Sequence, residues 1–375
     1  MEILILTDVA SSKKNRLFEL DFLKVMAIVL IVFSHFTYLA LYTYSIGTFF
    51  GDIEDILKGT LGVIGNGIFF FISGYTLFLF NQKFSSKQDY ISFFRKRILR
   101  IYPLYWIGIF AFVFLNYLLN FYNRSYSVFD VIVHLSGIQI IFFPKYVNEI
   151  SVFWFVSAIL IYYIIYSILI SISKNSRDIL LYGSMIFLVL VGIRFSSGLI
   201  EGKFFEYYFV FLVGVICAKE QFFNCKEFKN FGKYLIIPII CCFLAIIFLK
   251  PKMYDSLQSI TINLLLNVGF IILLRIFLIF ICVFYIYCLV SNSSWKEKTN
   301  IRNFFENCSL SAFPIYLFHI PFFVSLNYCL INLLGIMGIF HDIIIIFAGW
   351  PLLYVFAYYI QYFFLKFLRN FFCIL

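Results

Sequence analysis

Residues Glu19 to His35 read ELDFLKVMAIVLIVFSH, and this stretch decides the fold. It is apolar enough to span a membrane, but it contains Asp21, Lys24 and His35, which a helix surrounded by lipid would avoid. At about 100° per residue, His35 lies close to three turns after Lys24, and Asp21 lies one turn before it, so all three share one face. Because ionisable groups at membrane depth each cost about 2.5 kcal/mol or more, we expect this face to line a cavity. The simpler interpretation is an inner anchor plus one histidine that a neighbouring helix satisfies.

The composition around this stretch is that of an integral membrane protein. Of 375 residues, 63% are hydrophobic and 13% are charged. The apolar runs are long and continuous, which predicts an all-α protein with about ten transmembrane helices rather than a membrane barrel. We expect a tail at 1–17, one membrane domain at 18–370 and a short end at 371–375. The predicted spans are 18–42, 60–80, 98–122, 150–173, 179–195, 204–219, 233–250, 258–290, 309–333 and 342–365.

The distribution of positive charge predicts the orientation. If the N-terminus is cytoplasmic, 20 of the 29 Lys and Arg residues fall on inner segments and seven on outer ones. This excess follows the positive-inside rule and places both termini in the cytoplasm. The net charge of +10 is then mostly an orientation signal facing membrane lipids, and nucleic acid is not an expected partner. The nine cysteines form no CxxC pair, so we expect neither a disulfide framework nor a metal site.

The second informative stretch, FFRKRILRIYPLYW from Phe93 to Trp106, begins the third span. Arg97 and Arg100 are three residues apart, so their guanidinium groups leave one side of the helix, and Pro103 can kink its first turns. Two such groups at a membrane surface can hold phosphate or carboxylate. The alternative is a cytoplasmic anchor that touches anionic lipid.

Two further stretches are less specific on their own. FFFISGYTLF, in the second span, contains the small pair Ser73 and Gly74, which favours close helix packing and leaves a backbone carbonyl available. SVFWFVSAIL, at the outer start of the fourth span, contains Trp154. A tryptophan at a membrane interface is commonly a belt residue, so Trp154 alone indicates little.

The ninth span contains SLSAFPIYLFHIPFF, in which Tyr316 and His319 are one turn apart. Pro314 and Pro321 flank them, and proline within a helix distorts it and frees carbonyl groups. A histidine between two prolines inside a span is more typical of a cavity wall than of a lipid-facing surface.

Taken in order, Lys24-x10-His35, FFxISGY, RKRILRIYP, the Trp-led fourth span and PIYLFH resemble the acyltransferase-3 family of membrane acyltransferases. The resemblance extends from Glu19 through the tenth span. It implies a ten-helix membrane domain that transfers an acyl group, commonly acetyl from cytoplasmic acetyl-CoA, to a carbohydrate or lipid-linked acceptor. His35 matches the family's essential histidine, and Arg97 with Arg100 match its paired arginines. Lys24 departs from the arginine usual there, which keeps the charge but loses the planar fork.

The resemblance and the residues together predict a mechanism. We expect His35 to act as the general base, because a histidine is largely neutral at pH 7, with Asp21 and Lys24 setting the charge along its face. Arg97 and Arg100 are expected to hold the phosphates of acyl-CoA, which is a co-substrate, with no bound cofactor expected. Direct transfer and a covalent acyl-enzyme stay open. The substrate passage is expected to be lined by Ser73, Trp154, Tyr316 and His319.

The sequence leaves the class of protein partly open. The strongest alternative is a transporter or flippase for a lipid-linked saccharide, and a structural partner of a polysaccharide assembly complex is the third reading. The expected location is a bacterial cytoplasmic membrane, crossed many times, with a role in O-acetylation of surface polysaccharide. The identity of the acceptor glycan and the choice between acetyl and succinyl are not encoded in any motif, because acyl length depends on pocket shape.

Overall fold

A computed structural model describes residues 17–40, 48–121, 125–143, 145–150, 153–225, 232–254 and 262–372. Within these ranges all regular secondary structure is helical, without a strand. The predicted tail at 1–17 lies almost wholly outside the described residues, as does most of 371–375. The helices in chain order are α1 Phe18–Ala40, α2 Thr48–Phe80, α3 Lys87–Leu119, α4 Val128–Ser136, α5 Gln139–Phe142, α6 Trp154–Ile172, α7 Ser176–Ser197, α8 Gly202–Lys219, α9 Ile236–Tyr254, α10 Ile262–Ser291, α11 Thr299–Tyr328, α12 Ile339–Ile344 and α13 Trp350–Phe372.

The membrane character of the chain is visible in these helices. Seven helical segments of the described ranges are long and apolar enough to cross a membrane. They are Gly59–Phe80, Lys87–Leu119, Trp154–Ile172, Ser176–Ser197, Gly269–Ser291, Thr299–Leu333 and Ile345–Leu368. The chain is therefore all-helical and of the multi-pass membrane type. As far as the described residues extend, each predicted apolar run lies mainly on helix. The count of ten spans and the cytoplasmic position of both termini stay predictions.

Helix α3 begins where its sequence provides a cap. The Ser86 hydroxyl accepts a hydrogen bond from the Asp89 backbone N–H, while the Asp89 carboxylate accepts one from the Ser86 backbone N–H at 2.8 Å. This reciprocal pair satisfies backbone donors that the first turn leaves without a helical partner. The cap fixes the start of α3 ten residues before Arg97, and Asn120 ends the helix in a left-handed conformation.

Glycines set the closest approach between helices α2 and α8. A Cβ atom on Gly74 would lie 2.2 Å from the Phe211 carbonyl oxygen, and one on Gly214 would lie 2.2 Å from the Phe71 carbonyl oxygen. The two backbones therefore touch, which only residues without a side chain permit. The packing interpretation of the Ser73 and Gly74 pair is confirmed for Gly74.

Helix α11 organises the bundle around the first helix. It packs against α1, α3 and α13, while α2 packs against α1, α8 and α10. Helix α1 is consequently enclosed between α2 and α11, and its polar face meets α11. This enclosure explains why the ionisable residues of α1 avoid lipid.

Between the third and fourth predicted spans lie the two short helices α4 and α5. The Tyr105 hydroxyl donates to the His134 carbonyl oxygen at 2.8 Å, and the Trp106 indole N–H donates to the Leu135 carbonyl oxygen at 2.9 Å. His134 itself is fully buried, and its Nε2 accepts from the Ile150 backbone N–H at 3.1 Å. The segment is thus tied to α3 by side chains that cap its carbonyl groups.

Candidate functional site

The imidazole rings of His35 on α1 and His319 on α11 lie together in the bundle. Their ring centroids are 5.3 Å apart, and the ring planes are inclined by 42°. His319 is completely buried, whereas His35 is partly accessible. The sequence predicted His35 on a polar face of its helix and His319 at the wall of a cavity, and the structure brings the two residues into one site.

The hydrogen bonds of His319 determine which of its nitrogens can react. Its Nδ1 faces the carbonyl oxygens of Tyr316 at 2.8 Å and of Ile315 at 3.2 Å. Because a carbonyl oxygen only accepts, Nδ1 carries the proton in the neutral ring. The Nε2 atom is buried and has no hydrogen-bond partner among the described residues. His319 therefore presents an unprotonated nitrogen inside the site.

Tyr316 connects this pair of histidines to the start of helix α6. Its ring centroid is 6.2 Å from that of His319 and 5.2 Å from that of Phe155. The Tyr316 hydroxyl also forms a hydrogen bond with the Phe155 backbone. Trp154, the preceding residue, is buried and stacks on Tyr207 with ring centroids 5.7 Å apart. Tyr316 thus borders the histidines directly, whereas Trp154 belongs to an aromatic group beside them.

Asp21 and Lys24 occupy the opposite end of α1 from His35. Asp21 is almost fully buried, and its Oδ1 accepts a hydrogen bond from the Ser309 hydroxyl at 2.6 Å. The Lys24 ammonium lies 4.0 Å from the same oxygen. Fourteen residues separate Asp21 from His35, which corresponds to about 21 Å along the helix. The geometry gives Asp21 an anchoring contact, and its role in the chemistry stays a prediction.

The two predicted donor-binding arginines differ in their surroundings. The Arg97 guanidinium stacks 3.6 Å above the Phe93 ring centroid and donates to the Phe93 carbonyl oxygen at 3.0 Å. It is half-buried and also lies 5.5 Å from the Tyr163 ring centroid on α6. Arg100 is exposed. The aromatic contacts hold one positive charge in place and leave the second accessible, which suits binding of a phosphate from outside the bundle.

Ser73 lies well away from the histidines. The close contact between Gly65 of α2 and the Ala27 carbonyl oxygen of α1 sets the antiparallel register of these helices. Ser73 is eight residues beyond Gly65, or about 12 Å further along, toward the end of α1 that carries Asp21. It is half-buried, and its carbonyl oxygen accepts from Thr76 Oγ1 at 3.3 Å. That Ser73 lines the substrate passage stays a prediction.

A group of charged residues that the sequence analysis did not assign lies beside Trp154. Lys203 Nζ is 3.1 Å from Glu149 Oε1 and 3.2 Å from Glu201 Oε1, and it sits 5.3 Å from the Trp154 ring centroid. Burial raises the pKa of the Glu201 carboxyl, and the Lys203 charge opposes that rise. The sequence did contain a signal for this group, because its three ionisable residues all lie at the ends of apolar runs.

A comparison with protein families identifies the family to which the chain belongs. A family model described as an acyltransferase domain matches residues 17–366. The chain is a member of the acyltransferase-3 family. The matched range contains every predicted site residue, from Asp21 to His319. As a member of the acyltransferase-3 family the protein is an enzyme that has an acyl donor and an acceptor substrate, which settles the choice against a transporter or a structural partner. Neither the curated proteins nor the solved structures gave a match.

Proposed function

We propose that this acyltransferase moves an acyl group, most commonly acetyl, from cytoplasmic acyl-CoA to a hydroxyl of a cell-surface or lipid-linked carbohydrate. The proposal includes a location in a bacterial cytoplasmic membrane. The observation that carries it is the pairing of His35 with His319, because a positioned general base, most often a histidine, accelerates the attack of a hydroxyl on an acyl group.

The chemistry assigns one task to each histidine. His35, which is partly accessible, takes the proton of the attacking hydroxyl as the oxygen forms its bond to the thioester carbon. The carbon–sulfur bond breaks, and the proton on His35 passes to the departing thiolate. Once His35 is protonated, its ring donates a hydrogen bond to the unpartnered His319 Nε2, which stabilises the imidazolium in the way that an orienting group supports a catalytic histidine.

The other predicted residues have supporting tasks in this proposal. Arg97 and Arg100 bind the phosphates of acyl-CoA at the cytoplasmic end of α3. Asp21 and Lys24 set the charge at the inner end of α1. The passage between donor and acceptor is lined by Ser73, Trp154, Tyr316 and His319.

Replacement of His35 by alanine tests the proposal. Membranes that contain wild-type protein or His35→Ala are supplied with radiolabelled acetyl-CoA, and label in surface and lipid-linked glycans is counted at equal protein abundance. General-base catalysis contributes about 10²- to 10⁴-fold, so we expect incorporation to fall at least a hundredfold. Unchanged incorporation would remove His35 from the chemistry. A wild-type protein that labels no glycan would overturn the choice of acceptor.

A further inference from the structure

Three helices contribute polar side chains to one cluster inside the bundle. Arg275 of α10 lies with its Nη1 3.5 Å from Glu206 Oε1 of α8. Asn66 of α2 forms a hydrogen bond with the hydroxyl of Tyr207, the residue after Glu206. Arg275 follows thirteen residues after the start of α10, which is about 20 Å along that helix. Ionisable groups at such depth are rarely retained without a function.

The cluster has hydrogen-bonding capacity that the described part of the chain leaves unused. Asn66 Oδ1 and Arg275 Nε are buried atoms without a hydrogen-bond partner among the described residues. At the outer edge, Glu201 Oε2 is in the same state. Buried polar atoms are normally satisfied by protein, water or ligand, so one donor and two acceptors await a partner here.

Lys203 links this cluster to the pair of histidines. Its ammonium group, held between Glu149 and Glu201, is within electrostatic range of both Glu206 and His35. The same ammonium lies over the Trp154 ring, which stacks on Tyr207. The cluster and the proposed base are therefore neighbouring parts of one polar region.

The charges of the cluster indicate the chemical class of its ligand. Three carboxylates, those of Glu149, Glu201 and Glu206, face the two cations Lys203 and Arg275. This balance carries no surplus positive charge, which disfavours phosphate and uronate. An amide oxygen, a guanidinium N–H and carboxylates beside aromatic rings together match hydroxyl groups, which both donate and accept.

We propose that Asn66, Glu206 and Arg275 bind a neutral sugar residue of the acceptor through its hydroxyl groups and thereby select the hydroxyl that reaches His35. This inference rests on the proposed function for the carbohydrate nature of the acceptor. It makes the outer half of α2, α8 and α10 the specificity-determining side of the enzyme.

Sugar binding without a donor tests this proposal directly. The full chain in lipid nanodiscs is mixed with galactose, N-acetylglucosamine or glucuronate, and saturation-transfer difference NMR measures contact. We expect transfer to at least one neutral sugar and none to glucuronate. The double variant Arg275→Gln, Glu206→Gln neutralises both charges together, which avoids stranding one of them, and it should lose the signal at least tenfold. Asn66→Leu, which changes no charge, should weaken it as well.

The matched control is Arg302→Gln, Glu306→Gln, which removes an ion pair of 3.0 Å in the first turns of α11 and should keep the signal. Equal signals from the two double variants, absence of contact with every neutral sugar, or binding of glucuronate would each overturn the proposal. Thermal melting of each variant separates loss of binding from loss of fold. His35→Ala should bind sugar normally. If that variant also transfers acyl groups normally, the proposed role of His35 as the base fails while the sugar site stands. If the wild-type protein binds sugar but labels no glycan, the proposed acceptor fails while the sugar site stands.

Discussion

Ser309 of α11 donates a 2.6 Å hydrogen bond to the buried carboxylate of Asp21 on α1. The same two helices meet again at His319 and His35, further along in the same direction, so α1 and α11 run parallel. When two parallel helices are held at one contact, that contact also limits which residues can meet further along them. The hydrogen bond near the start of α1 therefore contributes to the register in which the two histidines face each other.

Removal of this hydrogen bond should weaken the fold and the site together. Ser309→Ala removes this donor from the buried Asp21 carboxylate, and we expect a loss of about 1–3 kcal/mol in the free energy of unfolding. Denaturant unfolding in detergent measures it. Ser311→Ala is the control, because the Ser311 hydroxyl bonds only the Asn307 carbonyl of its own helix among the contacts described. Equal stability of the two variants would contradict an anchoring role for Ser309.

His319 should matter for turnover rather than for assembly. His319→Ala removes the unpartnered Nε2 beside His35, and we expect the rate of acyl transfer to fall about 10²-fold or more at unchanged abundance. The comparison variant is His341→Ala, whose ring bonds the Asn327 side chain at 2.6 Å on another part of the bundle. If His319→Ala kept its full rate, the supporting role of the second histidine would be wrong.

The arginine pair should govern use of the donor. The double variant Arg97→Ala, Arg100→Ala removes both proposed phosphate contacts, and we expect the KM for acetyl-CoA to rise at least tenfold, or by about 1.4 kcal/mol of binding. Steady-state kinetics at varied donor concentration measure this. Arg95→Ala, Lys96→Ala removes two exposed charges of the same motif and should leave the KM unchanged. A rise of equal size in both would indicate a general effect of surface charge.

The contact between α2 and α8 should not tolerate a side chain at Gly74. In Gly74→Ala the new methyl group would meet a backbone carbonyl at 2.2 Å, so the helices must separate. Overpacking of this kind costs about 1–3 kcal/mol or more, and we expect reduced abundance and a lower melting temperature. Gly192→Ala is a suitable control, since a Cβ there has nothing within 4 Å. Normal melting of Gly74→Ala would refute the close contact.

Acid should destabilise the segment formed by α4 and α5. Burial lowers the pKa of His134 from 6.5 to about 4, although the neighbouring Asp130 favours the charged ring. The unfolded chain therefore takes up a proton at higher pH than the folded chain does. Full stability is present above pH 6.5 and decreases as the pH falls toward 4. At about 1.4 kcal/mol per unit, the loss by pH 5 is about 2 kcal/mol.

Thermal melting across this pH range measures the effect. His134→Asn should melt at a lower temperature at neutral pH, because the bond from the Ile150 N–H is lost or weakened, yet its melting should depend less on pH. An identical pH dependence in both proteins would assign the effect to other groups.

Much of the architecture was predictable from the chain alone. Apolar runs long enough to cross hydrocarbon must become helices there, because only internal hydrogen bonding satisfies the backbone in lipid. That constraint is local, which is why the runs at 98–122 and 150–173 fall largely on α3 and α6, although α3 begins eleven residues before its predicted run, at Lys87. The individual candidates His35 and His319 were also recognisable, since a polar residue in an apolar run is conspicuous without any knowledge of its neighbours.

What the sequence by itself determined, then, was the helical membrane fold and the identity of the polar residues within it. The tertiary structure alone decided their partners: His35 with His319, Asp21 with Ser309, and Arg275 with Glu206. Helical periodicity assigns a residue to a face of its own helix, but it contains no information on which other helix covers that face. That choice depends on packing between segments far apart in the chain, such as the glycine contact that joins α2 to α8.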